Sequence, residues 1–273
     1  MPLYNMRELL HDAHKGGYAV GSFSVANLEC VMGVIQAAEE MRAPIIMQCA
    51  ETRLRHTPLA MLGPMMVAAA RHARVPVAVH LDHGATIPCV QEALALGFTS
   101  VMLDGSTLPI AQNIAEVKRV VALARESGAA VEAEVGRVGR GEDGSDCPMA
   151  AASIDDCLAM DDAGIDAIAV GIGNAHGLYA ATPELRYDIL EQLSGKLRSY
   201  LVLHGGTGLT DGQFVKLIGL GMRKINIATD IFRAAALAPR TDDIFRNITD
   251  GAAAVKLVTQ KYIALFGSAG KAE

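Results

Sequence analysis

The chain has 273 residues, and 24 Lys and Arg against 30 Asp and Glu give it a formal net charge of −6. Hydrophobic residues make up 51 % of the sequence and charged residues 20 %, a balance typical of a folded globular protein and not of a disordered one. The acidic balance, with no block of basic residues to offset it, disfavours nucleic acid and an anionic membrane surface as partners.

The pattern of cysteines and the residues at the start of the chain indicate the cellular compartment of the protein. The five cysteines include no Cys-x-x-Cys pair, so they form neither a disulfide framework nor a zinc ribbon. Charges and histidines occupy the start of the chain, where a secretory signal needs an apolar stretch. No apolar run approaches the roughly 20 residues that span a bilayer. We therefore expect a cytoplasmic protein.

Eight short apolar runs, separated by helical patterns, are predicted as strands. They lie at 18–23, 44–49, 75–82, 98–103, 129–135, 166–172, 199–204 and 223–228. Helical spacing is clearest at 28–42, 87–97, 110–128 and 153–164, and the tail from Phe232 to Glu273 is also predicted to be helical.

This alternation predicts an α/β fold, a (β/α)₈ TIM barrel with a C-terminal helical extension. The rival open doubly wound sheet usually carries Gly-x-Gly-x-x-Gly after its first strand, where this chain reads SFSVANLE. No linker of Pro, Gly and Ser interrupts the pattern, so we expect one domain over residues 1–273.

Polar residues cluster where six of the predicted strands end, which in this architecture is the rim that carries the active site. Three of these ends carry His83, His176 and His204, and three neutral imidazoles with an open fourth position are a catalytic zinc arrangement. A single strand-end histidine more often bonds a backbone carbonyl, but three beside carboxylates favour a metal. His80 fits either a metal site or a hydrogen-bonded barrel interior.

Glycine-rich turns follow the sixth and seventh predicted strands, at Gly177 and at His204-Gly205-Gly206-Thr207-Gly208. Such turns let backbone N–H groups approach a phosphate closely, and Thr207 and Thr229 offer hydroxyl donors. Tight turns alone explain any one of these glycines equally well.

At these residues the chain resembles the class II, zinc-dependent ketose-bisphosphate aldolases, the family of the fructose- and tagatose-bisphosphate aldolases. Six blocks match in the family's order. They are LDHG (81–84), DGS (104–106), VEAEVGRVGRGEDG (131–144), GNAHGLY (173–179), LHGGTG (203–208) and KINIATD (224–230).

The resemblance implies reversible cleavage of a ketose 1,6-bisphosphate to dihydroxyacetone phosphate and an aldehyde. His83, His176 and His204 would bind Zn²⁺, and Asp104 and Glu134 would flank an alternative metal position. Asp82 and Glu142 would be the catalytic acid–bases for the C4 hydroxyl and for C3. The substrate and its phosphate would be bound by Gly177, Gly205, Thr207, Asn226 and Thr229.

The residue types suit this chemistry independently, because a divalent metal stabilises an enediolate without a Schiff-base lysine. Three imidazoles favour zinc over magnesium. A monovalent cation is a second candidate cofactor.

Some positions depart from the family. Ser24 and Ala50 replace residues that are often Asn and a small polar residue, and Thr249-Asp250-Gly251 lacks the arginine that grips a second phosphate. Arg53 and Arg55, in the loop after the second strand, are candidates for a different distal group.

Three functions stay open at this point. The first is a bisphosphate aldolase, the second a ketose-1-phosphate aldolase whose aldehyde product lacks the distal phosphate, and the third a non-catalytic sugar-phosphate-binding subunit. By analogy with the family we expect a homodimer or homotetramer.

Overall fold

The computed structural model describes residues 3–139, 145 and 148–272. Eight parallel strands close into a barrel in which each strand pairs with its neighbours in sequence and the last pairs with the first. The strands are β1 (Val20–Ser24), β2 (Ile45–Ala50), β3 (Val77–Gly84), β4 (Ser100–Leu103), β5 (Ala130–Val135), β6 (Ala167–Val170), β7 (Tyr200–Leu203) and β8 (Met222–Ile227). All eight predicted strands are confirmed, and so is the barrel.

Helices alternate with the strands and surround the barrel. In the described part of the chain they are α1 (Met6–Gly16), α2 (Leu28–Met41), α3 (Leu59–His72), α4 (Ile87–Ala95), α5 (Ile110–Ser127), α6 (Ile154–Asp161), α7 (Tyr187–Leu193), α8 (Asp211–Gly219), α9 (Thr229–Leu237) and α10 (Ile244–Leu265). The predicted C-terminal helical extension is confirmed, and it consists of two helices. It is broken between α9 and α10, where Pro239 lacks a backbone donor and Asp243 caps the new helix.

One end of the barrel is closed by α1. Asn5 begins this helix with a capping box that involves Glu8. The apolar face of α1, including Met6 and Leu10, packs on a layer of small residues inside the barrel that includes Ala78 and Ala130. This end is therefore filled, and the opposite end, where the strands finish, is left for polar side chains.

A second apolar core lies between the barrel and its helices. Within it α10 packs closely on α2, because Gly33 has no side chain: a Cβ there would lie 2.6 Å from the Ala252 carbonyl oxygen. None of the helices in the described ranges has the length and apolar character needed to cross a bilayer.

Candidate active site

Three histidines meet at the open end of the barrel, as predicted. His83 comes from β3, His176 from the loop after β6, and His204 directly follows β7. The Nε2 atoms of His83 and His176 lie 3.2 Å apart, and one nitrogen from each of the three rings lies within 4.8 Å of the others. Nitrogens bound to one tetrahedral zinc at ~2.0–2.1 Å would be about 3.3 Å apart, so the spacing fits a shared ion.

A distortion at the end of β3 brings Asp82 and His83 to the same site. Successive side chains of a strand point to opposite faces, which alone would separate these two residues. His83 has φ +42°, and the β3–β4 register shifts between Leu81 and Gly84. Gly84 permits the shift, since a Cβ there would lie 2.3 Å from the Met102 carbonyl oxygen. The local strain is of the kind that active sites retain.

The loops that carry His176 and His204 are fastened together by Asn174 and Tyr179. The Asn174 side chain accepts from the Ile172 N–H at 2.8 Å and donates to the His204 carbonyl at 2.9 Å. The Tyr179 hydroxyl donates to the Gly205 carbonyl at 2.8 Å. The sequence motif GNAHGLY contains both residues, but their positioning role is visible only when the two loops are seen together.

Carboxylates surround the histidines and make the site suitable for a cation. His83 Nδ1 lies 2.7 Å from Asp104 Oδ2, a contact that leaves Nε2 to face the other rings. Burial lowers the pKa of His83, but the charges of Asp82 and Asp104 outweigh it and hold that pKa well above its usual range. A site that attracts protons this strongly will also attract a metal ion that replaces them.

Glu134 and Asp104, which the resemblance names for an alternative metal position, approach the same centre. Together with His83 they form a second group whose ligand atoms lie within 4.8 Å of one another. Glu134 Oε2 lies 3.1 Å from His204 Nδ1, yet neither atom has a hydrogen-bond partner of normal geometry among the described residues. Two buried polar atoms without hydrogen-bond partners are consistent with a missing ligand such as a metal.

Asp82 is buried beside the histidines and held through both oxygens. Gln48 Nε2 donates to Oδ2 at 2.9 Å, and Asn226 Nδ2 donates to Oδ1 at 3.1 Å. Burial raises the pKa of Asp82, but the nearby positive charges of His83 and His204 outweigh it and lower that pKa below its usual value. The carboxylate is thus ionised and able to accept a proton.

The five residues predicted to bind the substrate and its phosphate line one small cleft next to His176. They are Gly177, Gly205, Thr207, Asn226 and Thr229. Gly205 has φ +64°, and a Cβ there would lie 2.2 Å from the Ala175 carbonyl oxygen, so no other residue fits. Thr207 is 3 % exposed, and its hydroxyl has no hydrogen-bond partner in the part of the chain that the structure describes. This cleft offers a buried donor to an anion.

Arg53 and Arg55, the two candidates for binding a distal group of the substrate, lie in different places. Arg53 lines a cavity of about 540 Å³ that also borders Thr229, whereas Arg55 does not line it and bonds His56 at 3.2 Å. Two further arginines of this cavity, Arg233 on α9 and Arg240 in the connection after it, were missed from the sequence because only the packing of this segment brings them there. Glu142 lies outside the described residues.

A buried ion pair beneath the histidines was also missed. Glu132 and Lys224 are both fully buried inside the barrel, with Lys224 Nζ 2.9 Å from Glu132 Oε2. The sequence signal was the presence of charged residues inside two buried strands, since β5 reads AVEAEV and β8 reads MRKINI.

A parallel barrel whose rim gathers three histidines and several carboxylates can hold a divalent metal, and comparison with known proteins gives the family. The family model of class II fructose-bisphosphate aldolase matches residues 4–271, and the chain belongs to that family. It is accordingly an aldolase, a carbon–carbon lyase of the metal-dependent class.

Relatives differ in the substrates their names give. The chain is 40 % identical over 287 residues to a 6-phospho-5-dehydro-2-deoxy-D-gluconate aldolase of Halalkalibacterium halodurans, covering 100 % of this chain and 99 % of that protein. It is 38 % identical over 252 residues to a fructose-bisphosphate aldolase of Staphylococcus aureus, covering 90 % and 87 %. The crystal structure of the YdjI aldolase of Escherichia coli superimposes with a TM-score of 0.90 at 33 % identity, covering 99 % of this chain and 100 % of that one.

Proposed function

We propose that the protein reversibly cleaves a ketose 1,6-bisphosphate of the fructose or tagatose type to dihydroxyacetone phosphate and an aldehyde. The observation that carries the proposal is the meeting of three buried imidazoles beside an ionised, buried carboxylate. Zn²⁺ would be held by His83, His176 and His204, since a set of three imidazoles suits zinc better than magnesium. When bound, the ion supplies a Lewis acid that stabilises the negative charge of an enediolate.

Two side chains of the site, Asp82 and Glu142, each carry out one proton transfer. Asp82 accepts the proton of the C4 hydroxyl as the C3–C4 bond breaks, so that C4 leaves as an aldehyde carbonyl. The bonding electron pair stays on the C3 side and delocalises towards C2 as the enediolate. Glu142 then delivers a proton to C3, which completes dihydroxyacetone phosphate. The reverse reaction uses the same groups in the opposite order.

Substrate binding is assigned to the cleft beside His176. Asn226 would donate to the enediolate, and Gly205, Thr207 and Thr229 would hold the phosphate on C1, with Gly177 at the edge of the cleft. Thr207 supports this assignment most directly, because a buried hydroxyl without a partner is costly unless a ligand completes it.

The direct test is cleavage of candidate ketose phosphates by the zinc-loaded and the chelator-treated protein. We expect chelator-sensitive release of dihydroxyacetone phosphate, restored by Zn²⁺. Metal-independent cleavage, or no cleavage of any ketose 1-phosphate, would contradict the proposal and favour a binding subunit. Running the assay in sodium, potassium and tetramethylammonium buffers tests the monovalent cation.

A second candidate is an aldolase for a ketose 1-phosphate with a different tail. The observation that favours it is the arginine-lined cavity beside Thr229, together with the absence of an arginine at 249–251. Comparing kcat/KM for a bisphosphate and its 6-dephospho analogue separates the two.

The assembly and the location of the protein are also proposals. Leu237, Ile244 and Phe245, around the connection from α9 to α10, are 74 %, 61 % and 78 % exposed, which supports a homodimer or homotetramer that covers them. Light scattering of the purified protein would measure the mass. Four buried free thiols, at Cys30, Cys49, Cys89 and Cys157, support a reducing cytoplasm.

A further inference from the structure

The Glu132–Lys224 pair lies in the barrel interior, outside the groups assigned to the reaction. Glu132 is on β5 and Lys224 on β8, two strands that do not pair with each other, so the contact crosses the interior. Both residues are 0 % exposed. Lys224 Nζ lies 2.9 Å from Glu132 Oε2 and donates to Oε1 at 3.2 Å.

Stability alone does not account for such a pair. Removing two charges from water is expensive, and buried ion pairs can often be replaced by apolar residues of similar volume without loss of stability. The neighbouring layer of the same interior is filled by Val20, Ile46, Ala78 and Val202. The sequence could have continued that apolar filling at 132 and 224.

Glu132 has a third contact, to a proposed metal ligand. Its Oε1 lies 2.9 Å from His204 Nε2. An ionised carboxylate can only accept a hydrogen bond, so the proton of the imidazole is placed on Nε2. The lone pair is then on Nδ1, which has no hydrogen-bond partner in the described part of the chain and lies 3.1 Å from Glu134 Oε2.

Lys224 holds the Glu132 carboxylate in place from the side of β8. Its Nζ lies within 3.2 Å of both carboxylate oxygens, and Oε1 at the same time faces His204 Nε2 at 2.9 Å. Without the ammonium group, Glu132 would be a buried carboxylate whose other close neighbours are the imidazoles of His204 and His80, and nothing would balance its charge.

We propose that Glu132, with Lys224 as its counter-ion, is a positioning residue that fixes the tautomer and orientation of His204 and thereby sets the affinity of the metal centre. This inference rests on the proposed role of His204 as a ligand. Glu132 does not touch the substrate. Outer partners of this kind typically change metal affinity by roughly 10- to 100-fold when they are removed.

The experiment measures Zn²⁺ affinity and thermal stability separately in four proteins. Metal-free wild type, Glu132→Gln, Lys224→Met and the double variant Glu132→Gln/Lys224→Met are titrated with Zn²⁺ against a chromophoric chelator, and the melting temperature of each metal-free protein is recorded. Ser100→Ala is the matched control, because Ser100 bonds His80 in the same interior at 2.9 Å. Its Zn²⁺ affinity should equal that of the wild type.

We expect Glu132→Gln to bind Zn²⁺ roughly 10- to 100-fold more weakly. Lys224→Met should melt at a lower temperature, because it leaves a buried charge without its partner. The double variant should regain most of that melting temperature but keep the weakened Zn²⁺ affinity.

A purely structural pair would give the opposite pattern. Zn²⁺ affinity that recovers together with the melting temperature, or wild-type affinity in both Glu132→Gln and the double variant, would overturn the inference. If Lys224→Met does not fold, those other two variants still decide it. A wild-type protein that binds no Zn²⁺ would instead refute the proposed metal centre.

Discussion

Asn226 on β8 donates a hydrogen bond of 3.1 Å to Asp82 on β3 across the mouth of the barrel. Gln48 holds the other oxygen of the same carboxylate at 2.9 Å. Both donors are residues of barrel strands, Gln48 on β2 and Asn226 on β8, so the position of the carboxylate is set by the fold. Preorganised groups of this kind need no rearrangement when charge develops in the reaction.

The first prediction concerns Asp82. We expect Asp82→Asn to keep its zinc, because the three imidazoles are untouched, and to lose turnover by roughly 10²- to 10⁴-fold, as the removal of a general base typically does. Measuring kcat and the zinc content of the same preparation checks both parts. Normal kcat in a zinc-loaded variant would remove Asp82 from the mechanism.

The second prediction concerns the metal. His204→Ala should be isolated with far less than one zinc per chain, since two imidazoles bind zinc more weakly than three. The control is His72→Ala, an exposed helical histidine whose ring bonds the Ala68 carbonyl at 2.8 Å. Equal zinc contents in the two variants would show that His204 is not a ligand.

Thr207 gives the third prediction. Thr207→Val keeps the shape but removes the buried hydroxyl, and a hydrogen bond to a charged group is worth ~1.5–3 kcal/mol. KM for the ketose phosphate should rise by roughly 10- to 100-fold while kcat changes less. Inorganic phosphate should inhibit the variant more weakly in proportion. Thr249→Val, on α10, is the control, and a Thr207 variant that behaves like it would exclude Thr207 from phosphate binding.

The fourth prediction distinguishes the roles of Arg53 and Arg55 in binding a distal group of the substrate. Because Arg53 lines the cavity beside Thr229 and Arg55 does not, Arg53→Ala should lower kcat/KM for a substrate with a distal anionic group by about tenfold or more. It should leave a substrate without that group unaffected. Arg55→Ala should change neither value. The reverse order of effects would move the distal group out of this cavity.

The fifth prediction tests the packing of α10. Gly33→Ala places a Cβ 2.6 Å from the Ala252 carbonyl oxygen, which should lower the free energy of unfolding by ~1–3 kcal/mol. Gly212→Ala, in α8, is the matched control, since among the described residues no atom beyond its chain neighbours and its own helix backbone lies within 4 Å of a Cβ there. Denaturant titration of both variants gives the comparison. An unchanged Gly33 variant would mean that α2 and α10 can separate at little cost.

The barrel could be predicted from the sequence because its strands are buried on both faces and therefore apolar throughout. The alternation of these strands with segments of helical spacing then indicated a (β/α)₈ barrel. Element ends were less certain: the predicted strand at 166–172 is Ala167–Val170 in the structure. Bends at Ile172 and Gly173 end it earlier than its apolar composition suggests.

Residues of the candidate site were predictable where they end strands or form glycine turns. The inward position of His83 was not, since it depends on a bulge against β4 that strand alternation does not encode. Glu132 and Lys224 could not be paired because their strands are 92 residues apart and meet only across the closed barrel. The place of Arg233 and Arg240 at the cavity could not be predicted, because it depends on how α9 and the connection after it pack.

Zinc K-edge X-ray absorption of the zinc-loaded wild-type protein would show directly whether the three histidines bind the metal. We predict one zinc per chain with three imidazole nitrogens at ~2.0–2.1 Å and no sulfur neighbour. Sulfur at about 2.3 Å, fewer than three imidazoles, or no bound zinc would contradict this prediction.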